Sequence, residues 1–182
     1  IIKEKYELDK ENYILFLARI VPEKGLDYLI DAYKKINTDM KLVIAGGASH
    51  TNDYYNSIQE KVKNDSRIIM TGFVQGQELE ELYSNCYLYV LPSDIEGMPI
   101  SLLEAMSYGR NCLVSNIPEN LDVAENMAFS FEKSNVNDLK EKLEELINEK
   151  NRKDEHEIKN YILNKYNWDD VIKQTEILYK KG

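Results

Sequence analysis

Six short apolar runs, each followed by a polar loop and in most cases by a segment with helical spacing, constrain this chain more than any other feature. The runs are Tyr13–Ala18, Lys41–Ala45, Arg67–Thr71, Tyr87–Leu91, Asn111–Ser115 and Ala128–Phe131. Between and after them lie helical segments at Leu26–Ile36, Asp53–Val62, Gln77–Asn85, Ile100–Tyr108 and Val136–Glu149. In the first, Leu26, Leu29, Ile30 and Tyr33 share a face; in the last, Leu139, Leu143 and Leu146 do. The stretch at Pro118 reads as a loop. Strands alternating with helices indicate a parallel sheet with helices on both faces, a three-layer α/β/α architecture. The 182 residues fit a single domain with a real core. Beyond a polar junction, Lys150–Glu157, further helices are expected around Ile158–Tyr166 and Trp168–Tyr179. Their stripes, Ile158, Ile162, Val171 and Leu178, need a cover, either the sheet or a neighbouring domain.

The loop and helix after the fourth run carry the strongest chemical signal. Asp94–Gly109 reads Asp-Ile-Glu-Gly-Met-Pro-Ile-Ser-Leu-Leu-Glu-Ala-Met-Ser-Tyr-Gly. Pro99 suits the first residue of a helix, where its missing N–H costs nothing, and Gly109 suits the stop. The loop then lies at the carboxyl end of a strand, where open α/β sheets bind ligands. The N–H groups of Ile100, Ser101 and Leu102 would face outward from the helix N-terminus and could accept a phosphate. Glu96 and Glu104 flank that position. Carboxylates repel a phosphate but accept hydrogen bonds from hydroxyl groups, so a sugar or ribose is the natural companion ligand. A solvated loop acid and an ordinary helix acid would look the same in sequence.

Other strand ends add to this. Arg19 and Lys24 flank the loop after the first run, with Gly25 opening the next helix; two cations there could hold a diphosphate, or form an ordinary basic pair. Gly46 and Gly47 permit either a close approach by a ligand or only a tight turn. Gly72-Phe73-Val74 could offer its backbone to a nucleobase or merely end a strand. The net charge of −9 argues against nucleic acid and anionic membrane surfaces, and gives weight to the few cations placed near loops. Cys86 and Cys112 sit in apolar runs and read as buried free thiols in a reducing compartment, with a disulfide between them the other reading, and the chain is expected to be cytoplasmic. His50 and His156 have no partner at metal-ligand spacing and read as surface residues. The 13 tyrosines read mainly as packing residues. No dinucleotide fingerprint, Walker loop, nucleophile triad, signal peptide or membrane-spanning run is present. A start at Ile1, with a strand pattern within about a dozen residues, reads as a piece cut from a longer protein.

Taken in order, these stretches resemble a family. Glu96-Gly-Met-Pro-Ile-Ser-Leu-Leu-Glu104 is similar to the Glu-x7-Glu motif of retaining glycosyltransferases of family 4, enzymes with the GT-B fold of two Rossmann-like domains. The segments Phe16–Gly25, Leu42–Gly47, Gly72–Val74, Leu91-Pro-Ser93 and Glu104–Gly109 match in the same order. The similarity runs from about residue 10 onward and concerns the C-terminal, donor-binding half. It implies that residues 1–182 form one nucleotide-sugar binding domain and that the N-terminal acceptor domain lies outside them.

The resemblance also implies roles. Arg19 and Lys24 would hold the diphosphate and neutralise the leaving group, acting with Glu96 as the catalytic set. Glu104 would bind the ribose hydroxyls and Glu96 the transferred sugar. The backbone at Gly47, Gly97, Met98, Ile100 and Ser101 would meet phosphate or sugar, and that of Val74 the base. Pro99 stands where many members have glycine, which removes one possible N–H contact. No metal is required in the family. A UDP-sugar is the default donor, and a glycan or lipid reached through the other domain is the acceptor, in polysaccharide or glycolipid synthesis, with peripheral membrane association of the parent protein left open. The isolated piece is expected to bind donor and transfer little. Two alternatives stand beside this: a GT-B sugar-nucleotide epimerase, and a non-catalytic nucleotide-binding α/β module. A receiver-like module fits poorly, because the first run ends in Ala18-Arg19 where a receiver needs acids.

Overall fold

In the computed structural model, which describes residues 1–48, 52–148 and 151–166, every side chain from Tyr13 to Leu17 is buried, and alternate residues enter two different cores. Tyr13, Leu15 and Leu17 join one cluster, Ile14 and Phe16 the other. A strand covered on both faces must read as continuously apolar, which is the pattern of the sequence. The strands are β1 Tyr13–Leu17, β2 Lys41–Ala45, β3 Ile68–Gly72, β4 Leu88–Leu91, β5 Cys112–Ser115 and β6 Phe129–Phe131. They form one parallel sheet in the order β3-β2-β1-β4-β5-β6.

The helices are α1 Ile2–Tyr6, α2 Leu26–Lys34, α3 Asn52–Val62, α4 Gly76–Asn85, α5 Ile100–Ser107, α6 Pro118–Ala124, α7 Val136–Asn148 and α8 Glu155–Lys165. Leu29, Ile58 and Leu143 place α2, α3 and α7 on one face of the sheet. Leu82, Leu103, Val123 and Ile158 place α4, α5, α6 and α8 on the other. The chain leaves β1 in one direction, to β2 and β3, and returns on the far side of β1 to β4, β5 and β6. Right-handed crossovers then require opposite faces for the two halves. This Rossmann-like order creates a topological switch point between β1 and β4, the place at the carboxyl ends of the strands where open α/β sheets bind ligands.

Two sequence expectations, at Pro118 and at Pro99, are corrected. Pro118 opens helix α6 rather than a loop: it occupies the first turn, where its fixed φ is suited and its missing N–H goes unneeded. Residues 2–6 form the short helix α1, which is under two turns long and gives no periodic signal. Pro99 lies outside α5. With φ −77° and ψ 76°, and with Ile100 N–H donating to the Met98 carbonyl at 2.9 Å, it is the centre of an inverse γ-turn.

The stripe of α8 is covered by this domain, since Ile158 and Ile162 are fully buried against the core that includes α5. The polar junction before it contains the cap: Asp154 accepts from the N–H groups of His156 and Glu157, each at 3.0 Å. The helix expected at Trp168–Tyr179 lies outside the described residues. Cys86 and Cys112 are free and buried, and burial pushes the Cys86 thiol up to about 12.

At the amino edge of the sheet, Arg110 is 3% exposed. Its guanidinium pairs with Glu155 at 2.8 Å and donates to the carbonyls of Tyr108 at 3.2 Å and Cys86 at 3.4 Å. It thereby ties α8 to the loops before β4 and β5. Arg110→Met is expected to leave those buried carbonyls without donors, costing about 2–3 kcal/mol. A fall in melting temperature of about 4–12 °C would follow for a domain of this size. A thermal melt unchanged within error would show that the tie carries no stability.

Candidate functional site

The loops after β1 and β4 are joined across the switch point by a backbone contact that only glycine allows. Gly25 has φ +67°, and a Cβ built on it would lie 2.1 Å from the Pro92 carbonyl oxygen. The Asp94 N–H donates to the Glu23 carbonyl at 2.9 Å, closing the same junction. A 3₁₀ turn at Pro22–Lys24 delivers Lys24 to this point.

There Lys24 Nζ donates to both carboxylate oxygens of Glu96, each at 2.7 Å. Ser93, fully buried, donates from Oγ to Glu96 Oε1 at 2.6 Å. Glu96 is 9% exposed. Its Oε1 therefore has two donors and its Oε2 one, which leaves Oε2 with acceptor capacity to spare. Behind Ser93 the polar chain continues. Ser115 Oγ donates to the Ser93 carbonyl, and Asn120 Nδ2 donates to Ser115 Oγ at 3.1 Å and to the Ser115 carbonyl at 3.2 Å.

The second glutamate of the pair is held separately. Glu104, in the second turn of α5, accepts from the Tyr83 hydroxyl at 2.9 Å through Oε2. Tyr83 is stacked on Tyr108 with ring centroids 5.6 Å apart and 11° between planes. Burial raises the Glu104 carboxyl above the usual carboxylate range, and the Tyr83 hydrogen bond partly offsets this. Tyr89, on β4, is hydrogen-bonded to Ser101 Oγ at 2.7 Å and to the Leu17 carbonyl at 3.2 Å. Burial raises the Tyr89 hydroxyl well above its ordinary range, and the Ser101 hydrogen bond partly offsets this.

Arg19 is exposed, with no side-chain hydrogen bond or ion pair among the described residues. Of the three N–H groups expected to be available at the start of α5, that of Ile100 is spent on Met98, and that of Leu102 on the Pro99 carbonyl at 3.1 Å. The expectation holds only for Ser101, whose N–H has no partner among the described residues. Gly97 and Met98 are exposed, and a Cβ on Gly97 would meet nothing within 4 Å. Gly46, not Gly47, is the glycine that packing demands: its Cβ would stand 2.0 Å from the Ala18 carbonyl oxygen. Gly47 would touch only Phe73 Cβ at 3.6 Å, an ordinary contact. Val74 buries its side chain while its backbone has no hydrogen-bond partner among the described residues. His156 is exposed, as expected, and His50 lies outside the described residues.

The sheet topology thus brings Lys24 and Glu96 into contact, with Glu104 and Ser101 on the adjoining helix and Arg19, Gly47 and Val74 at neighbouring strand ends. Sequence reasoning missed the supporting set of Ser93, Ser115, Asn120, Tyr83 and Tyr89. Ser93 falls within the Leu91-Pro-Ser93 match, but nothing local distinguishes Ser115 or Asn120 from turn residues.

Residues 1–165 match the family described as glycosyl transferases group 1. The chain belongs to this family. Among curated members, an uncharacterized glycosyltransferase of Methanocaldococcus jannaschii, MJ1607, is 30% identical over 179 residues, covering 94% of this chain and 45% of that protein. The chain thus spans under half the length of that relative. Two solved structures share the fold. A glycosyltransferase from Rickettsia africae has a TM-score of 0.83 at 19% identity, covering 98% of this chain and 50% of that chain. Anabaena Alr3699/HepE, solved in complex with UDP and glucose, has a TM-score of 0.83 at 16% identity, covering 100% of this chain and 51% of that chain. The domain is one Rossmann-like half of the GT-B architecture. Among the described residues of this group 1 domain, no helix is long and apolar enough to cross a membrane.

Proposed function

We propose that this chain is the donor-binding half of a retaining glycosyltransferase of the family 4 kind, and that it holds a nucleoside-diphosphate sugar at the carboxyl ends of β1 and β4. The observation that carries the reading is the Lys24–Glu96 pair at the switch point, with Arg19 beside it on the same loop. A lysine ammonium has three N–H donors, and Glu96 takes two of them, so one remains for a phosphate oxygen. Arg19, uncompensated by any described acid, supplies the net positive charge in a chain that is otherwise strongly acidic. The Ser101 N–H, at the positive end of α5, adds to it. Gly97 and Met98 would also offer N–H groups to phosphate or sugar; Ile100 would not, its N–H being spent.

In this reading the spare lone pair of Glu96 Oε2 accepts a hydroxyl of the donor sugar. Glu104 accepts the ribose hydroxyls, and the open backbone of Val74 meets the base, with Gly47 leaving room beside it. When the bond from the anomeric carbon to the diphosphate breaks, negative charge grows on the leaving oxygen. Fixed cations stabilise that charge without reorganising, which is electrostatic catalysis. No metal is assigned to this step. A UDP-sugar is the proposed donor, supported by the UDP in the Anabaena neighbour, and a glycan or lipid hydroxyl the proposed acceptor, bound by the rest of a longer protein.

The test is calorimetric titration of the chain with UDP, GDP and ADP, beside Glu104→Ala. One nucleotide is expected to bind, and the variant to weaken it about 10–100-fold, the worth of hydrogen bonds to a charged acceptor. Glu104 must be ionised to accept two hydroxyls, and its pKa is raised. Affinity is therefore expected to hold at alkaline pH and to fall, as pH drops, sooner than an ordinary carboxylate would allow; Glu104→Ala should lose this dependence. The sign for stability is opposite. The folded state keeps the proton to higher pH than the unfolded chain, so ionisation costs stability as pH rises through that window. Glu104→Ala should then melt no lower than the parent at pH 8 apart from its lost packing. Binding of none of the nucleotides, or no effect of the variant, would refute the assignment. Product analysis with the full-length protein separates transfer from epimerisation.

A further inference from the structure

We propose that Asn120, which would touch no ligand, is a positioning residue that orients Glu96 toward the donor sugar through Ser115 and Ser93; this rests on the donor-site reading above. The geometry is a one-way chain of donors. The Asn120 amide gives both its N–H bonds to Ser115, the Ser115 hydroxyl gives its proton to the Ser93 carbonyl, and the Ser93 hydroxyl gives its proton to Glu96 Oε1. Asn120, Ser115 and Ser93 are all fully buried. They belong to three separate pieces of chain, the helix α6, the end of β5 and the loop after β4, so the relay fixes the loop's exit from the sheet against two neighbours.

The unused atom points the same way. Asn120 Oδ1 is buried without a hydrogen-bond partner among the described residues. An orphaned acceptor costs free energy, and a leucine of similar size would avoid it. What the amide contributes here is its two donors, both given to Ser115. By occupying one side of Glu96 Oε1, Ser93 leaves Oε2 as the oxygen with spare capacity. A loop free to move at Ser93 would lose that distinction between the two oxygens, while Arg19, Ser101 and Glu104 would keep their places.

The experiment compares UDP with UDP-glucose, and GDP with GDP-mannose, by calorimetry on the wild-type chain, Asn120→Ala and the milder Ser115→Ala, after thermal melts have established which variants are folded. Both variants are expected to lose affinity for the sugar nucleotide by about two- to tenfold, the net worth of one well-placed hydrogen bond. Affinity for the free nucleotide should not change. In a Glu96→Ala background the same substitutions should have no further effect, because their influence passes through that carboxylate. Equal losses for nucleotide and sugar nucleotide, or losses that persist without Glu96, would mean that Asn120 only supports the fold. If Asn120→Ala does not fold, Ser115→Ala tests the relay with the same expected and opposing results. A wild type that binds nucleotide but gains nothing from the sugar overturns this inference alone; one that binds neither nucleotide overturns the donor reading, and this inference with it.

Discussion

Gly25→Ala is expected to destabilise the fold by about 3 kcal/mol or more and to abolish nucleotide binding at concentrations that saturate the parent. Two costs add. The first is the left-handed backbone, φ +67°, which disfavours any residue with a Cβ by about 1–2 kcal/mol. The second is steric: the new Cβ would sit 2.1 Å from the Pro92 carbonyl oxygen, a backbone atom that cannot rotate away. Relief requires the β1 and β4 loops to separate, and that junction is what holds Lys24 against Glu96. For a domain of this size the expected fall in melting temperature is about 6–12 °C. Gly97→Ala is the control for stability, since its Cβ would meet nothing within 4 Å. It should stay within about 0.5 kcal/mol of the parent. A Gly25→Ala protein that melts with the parent and binds nucleotide equally well would show that the two loops are not coupled.

The second large effect is a reversal of sign between the two members of the central pair. Glu96→Ala removes the proposed acceptor for the sugar hydroxyl, so transfer by the full-length protein should fall by about 100-fold, the upper end for hydrogen bonds to a charged group. Free nucleotide should bind as well as before or better, because Lys24 then faces the diphosphate with its whole charge. Lys24→Ala does the opposite. It leaves a buried carboxylate without its cation beside an incoming dianion, and nucleotide affinity should fall about 10–100-fold. The double variant should recover part of that loss. Losses of equal size and the same sign from both single variants, with no coupling in the double, would refute the arrangement in which one lysine serves both the carboxylate and the phosphate.

Much of the fold is legible in local pattern. The apolar runs at Lys41–Ala45 and Tyr87–Leu91 read as interior strands and the stripe Leu139-Leu143-Leu146 as a helix against a core, and the structure has them so. Local pattern is silent or misleading where a helix spans fewer than two of its own periods. Helices α1 and α6 hold five and seven residues, too few to repeat a 3.6-residue pattern twice with certainty. At Pro99 two local rules competed. Proline suits both the first turn of a helix and the centre of an inverse γ-turn, and the Met98–Ile100 hydrogen bond selected the second. That choice removed one of the expected N–H groups from the site.

The sequence by itself determined the parallel α/β architecture, the loops that carry chemistry, and the identity of Arg19, Lys24, Glu96 and Glu104 as the candidate site residues. It did so because burial periodicity and residue chemistry are local properties of the chain. Tertiary structure alone decided that Lys24 and Glu96, 72 positions apart, meet at 2.7 Å, that Tyr83 restrains Glu104, and that Ser115 and Asn120 stand behind Ser93. The first contact needs β1 and β4 to pair at the centre of the sheet, the second needs α4 and α5 to pack side by side, and the third needs β5 to pair beside β4. Sequence spacing cannot encode which of two carboxylate oxygens is left free; the packing of a loop, a strand end and a helix around one buried serine does.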